Sequence, residues 1–346
     1  MPTRYDLSRP ALGEMLAGQP RYRLDQLWTG LYRQLATVEE LTTLPKALRT
    51  QLDADLPNAL ELVTEAVSDD GDTVKFLWKL DGGALVETVL MLYPDRATVC
   101  VSSQAGCAMG CRFCATGQAG FERHLTVGEI VEQVVRASRR AREGGRRVSN
   151  VVFMGMGEPF ANYERVWPAV ERLHDDIGLS ARHITLSTVG VVPGIRRLTE
   201  EQLPVNLAVS LHAANDSLRD ELVPINRRYP LEVLEDACRH YLAAKNRRLS
   251  FEWALIDGVN DRDRDARELA ALCRRFPLPA HVNLIPLNPT PGWPTRGSAP
   301  AQVRRFQEQL EQLGANVTVR RNRGTEIAAA CGQLAAGQPV QLSTRR

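Results

Sequence analysis

Cysteine is scarce in this chain, with seven among 346 residues, and aromatic residues make up only 6%. No apolar run approaches the length of a membrane span, and the opening MPTRYDLSRP lacks the apolar core of a signal peptide. No low-complexity tract is present, and 44% hydrophobic with 24% charged residues is ordinary for a globular protein. These absences predict a cytoplasmic protein with no membrane partner. In that compartment clustered thiols point to metal or redox chemistry rather than to disulfide staples. The length predicts one large domain with a smaller one attached.

Charge is nearly balanced at a net of +2, but unevenly spread. Residues 1–70 carry seven basic and eleven acidic side chains, whereas residues 301–346 carry seven basic and three acidic. Two arginine-rich stretches, RASRRAREGGRR (136–147) and VRRNR (319–323), have the composition of phosphate contacts. A solvated helix face explains the first of them equally well. Arg320, Arg321 and Arg323 stand close before a late cysteine and are candidate phosphate contacts.

Residues 1–70 read as short helices, with apolar spacing such as Leu24, Leu27 and Leu31. Residues 71–96 read as a connecting β-hairpin that turns at Asp81-Gly82-Gly83. From residue 97 to 346 strands alternate with helices. The strands are expected in ATVCVS (97–102), NVVFMG (150–155), HITLST (183–188), VNLAVSLH (205–212), LSFEWAL (249–255), HVNLIP (281–286) and NVTVR (316–320). Thr126 and Glu129 have capping-box spacing, followed by an apolar stripe of Val127, Ile130, Val131 and Val134. About six β–α repeats predict an α/β fold whose parallel sheet forms a partial barrel.

Four of the seven cysteines fall in CVSSQAGCAMGCRFCATG (100–117). Cys107, Cys111 and Cys114 form a C-x3-C-x2-C run. Three thiolates can hold three irons of a [4Fe–4S] cluster and leave the fourth open to a small molecule. A structural zinc site normally takes four protein ligands, so spacing favours the cluster while leaving zinc open. Cys238 and Cys273 lie among Leu and Ala in helical stretches and read as small buried hydrophobes. GMGEP (155–159) is no dinucleotide-binding loop, because Phe160 stands where the third glycine is required.

C-x3-C-x2-C after the first strand, with GMGEP after the second, resembles the radical S-adenosylmethionine (radical SAM) superfamily. CVSSQAGCAMGCRFCATG, FMGMGEP, STVGVVPGI, SLHAANDSLRDELVPIN, LIPLNPTPG and AACGQL occur in order between residues 85 and 334. Together they resemble the RlmN/Cfr family of radical SAM RNA adenosine methyltransferases. Glu326 is a departure, since the family usually has Asp there; the carboxylate is kept.

That resemblance implies a partial (β/α)6 barrel with a small N-terminal helical domain. It implies a [4Fe–4S] cluster on Cys107, Cys111 and Cys114, and two SAM molecules per turnover. It implies methylation of C2 of an adenosine in 23S rRNA, and in tRNA, with C8 of the same rRNA adenosine as the alternative. GMGEP and CVSSQAGC favour C2. An electron-poor ring carbon does not attack a sulfonium methyl as an amine would, which is why such chemistry needs radicals.

Roles carry over by motif. Cys331 matches the cysteine that first takes a methyl group on sulfur. Cys100 matches the partner that resolves the RNA–protein link by forming a disulfide with Cys331. Glu87 matches a proposed proton acceptor, although residues alone would make it an outward carboxylate on a strand. Gly157 and Glu158 match the SAM amine site; Ser187, Ser210, Leu211, His212 and Asn288 match positions lining the rest of SAM. His212 taken alone is more often a satisfied core histidine. The expected partners are the RNA and an electron donor such as flavodoxin, with the protein a monomer. A radical SAM enzyme of another substrate class would share the cluster without needing Cys100 and Cys331. A zinc-containing RNA-binding protein would need neither SAM nor a carrier thiol.

Overall fold

The computed structural model describes residues 2–68, 70–245, 247–277, 280–290 and 296–336. The last two residues of LIPLNPTPG and the last ten of the expected catalytic domain lie outside them.

The chain opens with α1 (Arg9–Met15), α2 (Tyr22–Thr29) and α3 (Lys46–Asp55). Ser8 caps α1 by accepting from the amide of Ala11 at 3.3 Å. Leu27 and Leu31 are buried as their spacing requires.

The expected boundary at residue 70 is not where the helices end. Residues Glu61–Val67 form a strand, β1, paired antiparallel with β2 (Thr73–Lys79). Almost every residue of β1 is exposed, so ELVTEAV shows no inward–outward alternation by which a strand would be read. β2 and β3 (Leu85–Leu92) form the expected hairpin, with Gly82 and Gly83 at φ 83° and 90°. β3 then pairs antiparallel with β4 (Ala97–Cys100). The meander is thus continuous with the main sheet, and the N-terminal helices share one hydrophobic core with it, from Leu12 and Leu31 through Val99 to Phe306.

After β4, a small antiparallel pair, β5 (Gln104–Gly106) and β6 (Phe121–His124), brackets α4 (Ala115–Ala119). Then come α5 (Val127–Glu143), β7 (Val148–Phe153), α6 (Tyr163–Glu171), β8 (Ile184–Thr188), α7 (Val192–Glu200) and β9 (Asn206–Ser210). The chain continues with α8 (Asp216–Leu222), α9 (Leu231–Lys245), β10 (Leu249–Leu255), α10 (Asp263–Cys273), β11 (His281–Pro286), α11 (Pro300–Gln312) and β12 (Asn316–Val319). The sheet order is β1-β2-β3-β4-β7-β8-β9-β10-β11-β12, parallel from β4 onward. Six strands from β4 to β11 make the partial barrel, and β12 adds a seventh parallel strand at its open edge. All seven expected strands of this half are present. Because β–α connections move one way around the sheet, the loops at the strands' C-terminal ends gather on one rim.

Helix α5 bears out its capping box: Glu129 N–H donates to Thr126 Oγ1 at 3.2 Å and Thr126 N–H to Glu129 Oε2 at 2.8 Å. Its arginines serve the fold. Arg139 pairs with Glu40 at 2.8 Å, Arg140 with Glu65 at 2.9 Å, and Arg142 donates to the carbonyl of Gln34 at 2.7 Å. The first basic cluster therefore clasps the N-terminal helices and β1 against the barrel.

Candidate active site

Cys107 follows β5 and Cys114 precedes α4, so the three-cysteine run forms one loop inside the rim of the barrel. Gly110, at φ 67°, reverses this loop in a conformation other residues rarely adopt. A Cβ on Gly117 would stand 2.9 Å from the carbonyl oxygen of Cys111, so α4 can pack this close only as glycine.

The three thiols face a cavity of about 150 Å³, together with Gly157, Glu158, Ser187, Ser210, His212, Glu252 and Cys331. Burial pushes the Cys107 thiol up to about 12 and raises Cys111 and Cys114 as well. For Cys111 the next causes are the charges of Cys114 and Cys107. Thiols raised in this way stay protonated near neutral pH, and a cationic group is what would hold all three together as thiolates. No three His, Cys, Asp or Glu side chains among the described residues gather around a point that would hold a single ion. A multi-iron cluster, presenting separate irons to separate thiolates, fits this spread better than zinc with sulfur at about 2.3 Å.

The turn after β7 is built for close approach. Gly157 adopts φ 97°, and a Cβ there would stand 2.5 Å from Gln104 Cβ. Glu158 accepts from the amides of Val189 at 2.9 Å and Phe160 at 3.0 Å, and burial pushes its carboxyl up to about 7. It thus binds the rims of β7 and β8 together as well as lining the cavity. His212, at φ 60°, accepts from the Ala254 amide through Nδ1 at 3.0 Å and meets the Phe113 ring edge-on at 4.6 Å. Burial, then Arg219, lowers its pKa to about 3, so the imidazole is neutral.

Ser187 and Ser210 line the cavity, but Leu211 and Asn288 do not. Leu211 is buried with its amide bonded to the carbonyl of Glu252 at 3.0 Å. Asn288 Nδ2 donates to the carbonyl of Cys331 at 3.2 Å, which makes it a holder of the cysteine loop.

A second cavity, of about 220 Å³, is lined by Cys100 and Cys331 together with Val89, Tyr93, Arg321 and Arg323. Two thiols separated by most of the catalytic domain therefore share one space, and both are free. Met154, Arg320 and Cys331 line both cavities and form the wall between them. Burial raises Cys100 to about 12, and Cys331 raises it further.

Arg320 corrects an expectation. It does not reach outward as an RNA contact. It is half-buried and held charged chiefly by Cys331, then by Glu252 and Cys100, against the opposing effect of burial. Arg323 is likewise engaged, paired with Asp72 and stacked over the Tyr93 ring at 4.4 Å. Arg321 is exposed at the mouth of the second cavity. Glu87 is buried but lines neither cavity; it pairs with Lys75 at 2.8 Å.

Sequence reasoning missed Arg219, which is fully buried. It donates to the carbonyls of Leu211, Val189 and Ser210 and to Asn226 Oδ1 over 2.6–3.3 Å, lacing the rim loops together. Its only signal was its place in SLHAANDSLRDELVPIN, where nothing distinguishes it from a surface arginine. Met154 and Glu252 were also missed: Met154 follows β7 inside FMGMGEP, where the glycines and Glu158 drew the reading, and Glu252 sits mid-strand in β10 with no motif around it.

Residues 101–270 match the model of the radical SAM superfamily. The probable dual-specificity RNA methyltransferase RlmN of Chloroflexus aurantiacus is 54% identical over 98% of this chain and 94% of its own length. The dual-specificity RNA methyltransferase RlmN 1 of Myxococcus xanthus is 53% identical over 99% and 96%. A crystal structure of a radical SAM methyltransferase from Sphaerobacter thermophilus superposes with a TM-score of 0.94 at 53% identity, covering 97% of this chain and 100% of that one. With three thiols around one cavity and a fourth in the wall leading to a fifth, the chain belongs to the RlmN family of radical SAM RNA methyltransferases.

Proposed function

We propose that this protein methylates C2 of an adenosine in 23S rRNA, and in tRNA, through a methyl group carried on Cys331. The observation that carries the reading is the position of Cys331 in the wall shared by the two cavities. One side of that wall faces the three-cysteine loop, and the other faces Cys100.

When bound, the [4Fe–4S] cluster and SAM supply the electron and the carbon radical that an electron-poor ring carbon requires. Cys107, Cys111 and Cys114 would hold the cluster through their thiolates, beside the cavity that would take SAM. The Gly157–Glu158 turn, Ser187, Ser210 and neutral His212 shape the pocket around SAM. Cys331 takes a methyl group on sulfur and presents it toward the second cavity. The charge of Arg320 works against the burial that raises the Cys100 thiol. Once base and Cys331 are linked, attack of the Cys100 thiolate on the Cys331 sulfur forms the disulfide as the sulfur–carbon bond breaks, and the methylene carbon left on the base keeps the bonding pair and takes up a proton to become the methyl group. Two electrons and two protons return that disulfide to thiols, which calls for a reductant such as flavodoxin and suits the cytoplasm. The protein acts as a monomer, and Arg321 is a phosphate contact at the cavity mouth.

Mass spectrometry of nucleosides from treated rRNA and tRNA transcripts tests this. Methyl at C2 in both RNAs is expected; methyl at C8 overturns the assignment in favour of the Cfr reaction.

A further inference from the structure

The stretch from Gly324 to Ala336 carries Cys331 and contains no helix or strand, so groups from other elements must fix its path. On the barrel side, the Ala115 amide donates to the carbonyl of Gly332 at 2.8 Å and Thr116 Oγ1 to that of Leu334 at 2.5 Å. From the β2–β3 hairpin the loop is anchored by an ion pair. Lys75 Nζ lies 2.8 Å from Glu87 Oε1 and donates to the carbonyl of Ala328 at 3.3 Å. Glu87 Oε2 accepts the amides of Ala335 and Ala336 at 2.9 and 3.1 Å.

The register explains the meeting. Lys75 stands opposite Val89, and Glu87 opposite Leu77, so the pair is diagonal on one face of the β2–β3 hairpin. Val89 in turn stands opposite Cys100. The side chains are only 16% and 4% exposed. Charges so withdrawn from water are tolerable when paired and when their remaining bonding capacity is used. Here that capacity is spent on the loop, three residues before Cys331 and four to five after it.

We infer that Lys75 and Glu87 are positioning residues that clamp the carrier loop on both sides of Cys331. The inference rests on Cys331 being the methyl carrier. It gives Glu87 a task other than accepting a proton: one carboxylate oxygen is held by an ammonium and the other by two amides. Placement of the carrier sulfur is thereby coupled to the antiparallel meander, which supplies no ligand to the three-cysteine loop.

The test compares Lys75→Met, Lys75→Arg and Glu87→Gln. In cluster-free protein, amide hydrogen exchange at Ala335 and Ala336 should quicken about tenfold in Lys75→Met and Glu87→Gln, and return toward wild type in Lys75→Arg. In loaded enzyme, methyl appearance on Cys331 and kcat should fall together by about tenfold in the first two variants, with KM for RNA little changed. Unchanged exchange in both variants overturns the clamp. So does a Glu87→Gln enzyme that methylates Cys331 normally but accumulates RNA-linked protein while Lys75→Met behaves as wild type, the signature of a proton acceptor. If wild-type Cys331 is never methylated while exchange responds as expected, the carrier assignment falls and the clamp stands.

Discussion

The side-chain amide of Asn288, at the end of β11, donates to the backbone carbonyl of Cys331 over 3.2 Å, and its Oδ1 accepts from Asn322 at 2.7 Å. A residue expected to meet SAM thus also holds the peptide of Cys331. Losing such a neutral hydrogen bond costs about 0.5–1.5 kcal/mol. Asn288→Ala should slow methylation of Cys331 by about threefold to tenfold. Asn288→Asp should do more harm, because it sets an acceptor against a carbonyl. Mass measurement of the Cys331 peptide over time reads both.

Iron binding and methyl transfer should separate. Cys331→Ala should load iron and sulfide like wild type, with the same visible absorbance, and should methylate no RNA. Retained methylation would remove the relay. Cys100→Ala should instead trap RNA on the protein, visible as a slow band that nuclease treatment shifts, because no thiol is left to break the sulfur–carbon bond.

Arg219 holds four acceptors on three rim segments without solvent exposure. Removing it leaves buried neutral acceptors unsatisfied, which costs at least about 1–3 kcal/mol. Arg219→Met should lower unfolding free energy in urea by about that amount and weaken SAM binding, since Val189 and Ser210 line the cavity.

Glu132 on α5 accepts from the amide of Ala59 at 2.7 Å at the seam with the N-terminal helices, and burial pushes its carboxyl up to about 7. A carboxyl raised above its unfolded value binds a proton more tightly when folded. Its stabilising contribution is therefore full below about pH 4.5 and is lost as pH rises through about 7. Glu132→Gln should remain as stable as wild type near pH 5 and become more stable at pH 8, by up to about 3 kcal/mol. Equal Tm differences at both pH values would show that Glu132 stays ionised in the native protein.

The alternating half of the chain was legible because buried parallel strands are apolar runs and their covering helices carry stripes such as Val127 to Val134. β1 was not, because both of its faces are largely exposed and only pairing with β2 makes it a strand. The arginines misled for a related reason. A run of positive charge has the same spelling whether it meets phosphate, as expected for Arg320, or a buried thiol and a carboxylate, as found.

By itself the sequence determined the chemistry: three thiols at C-x3-C-x2-C, a glycine turn after the next strand, and two further cysteines with nothing local to explain them. Those choices are local, since loop spacing and residue type set which ligands can share a cluster. Only the tertiary structure decided that Cys100 and Cys331 face one cavity, that Arg320 and Met154 complete the wall with Cys331, and that Lys75 and Glu87 grip the loop. These partners come from strands and loops far apart along the chain, and distance in sequence sets no distance in space until the sheet order and register are fixed.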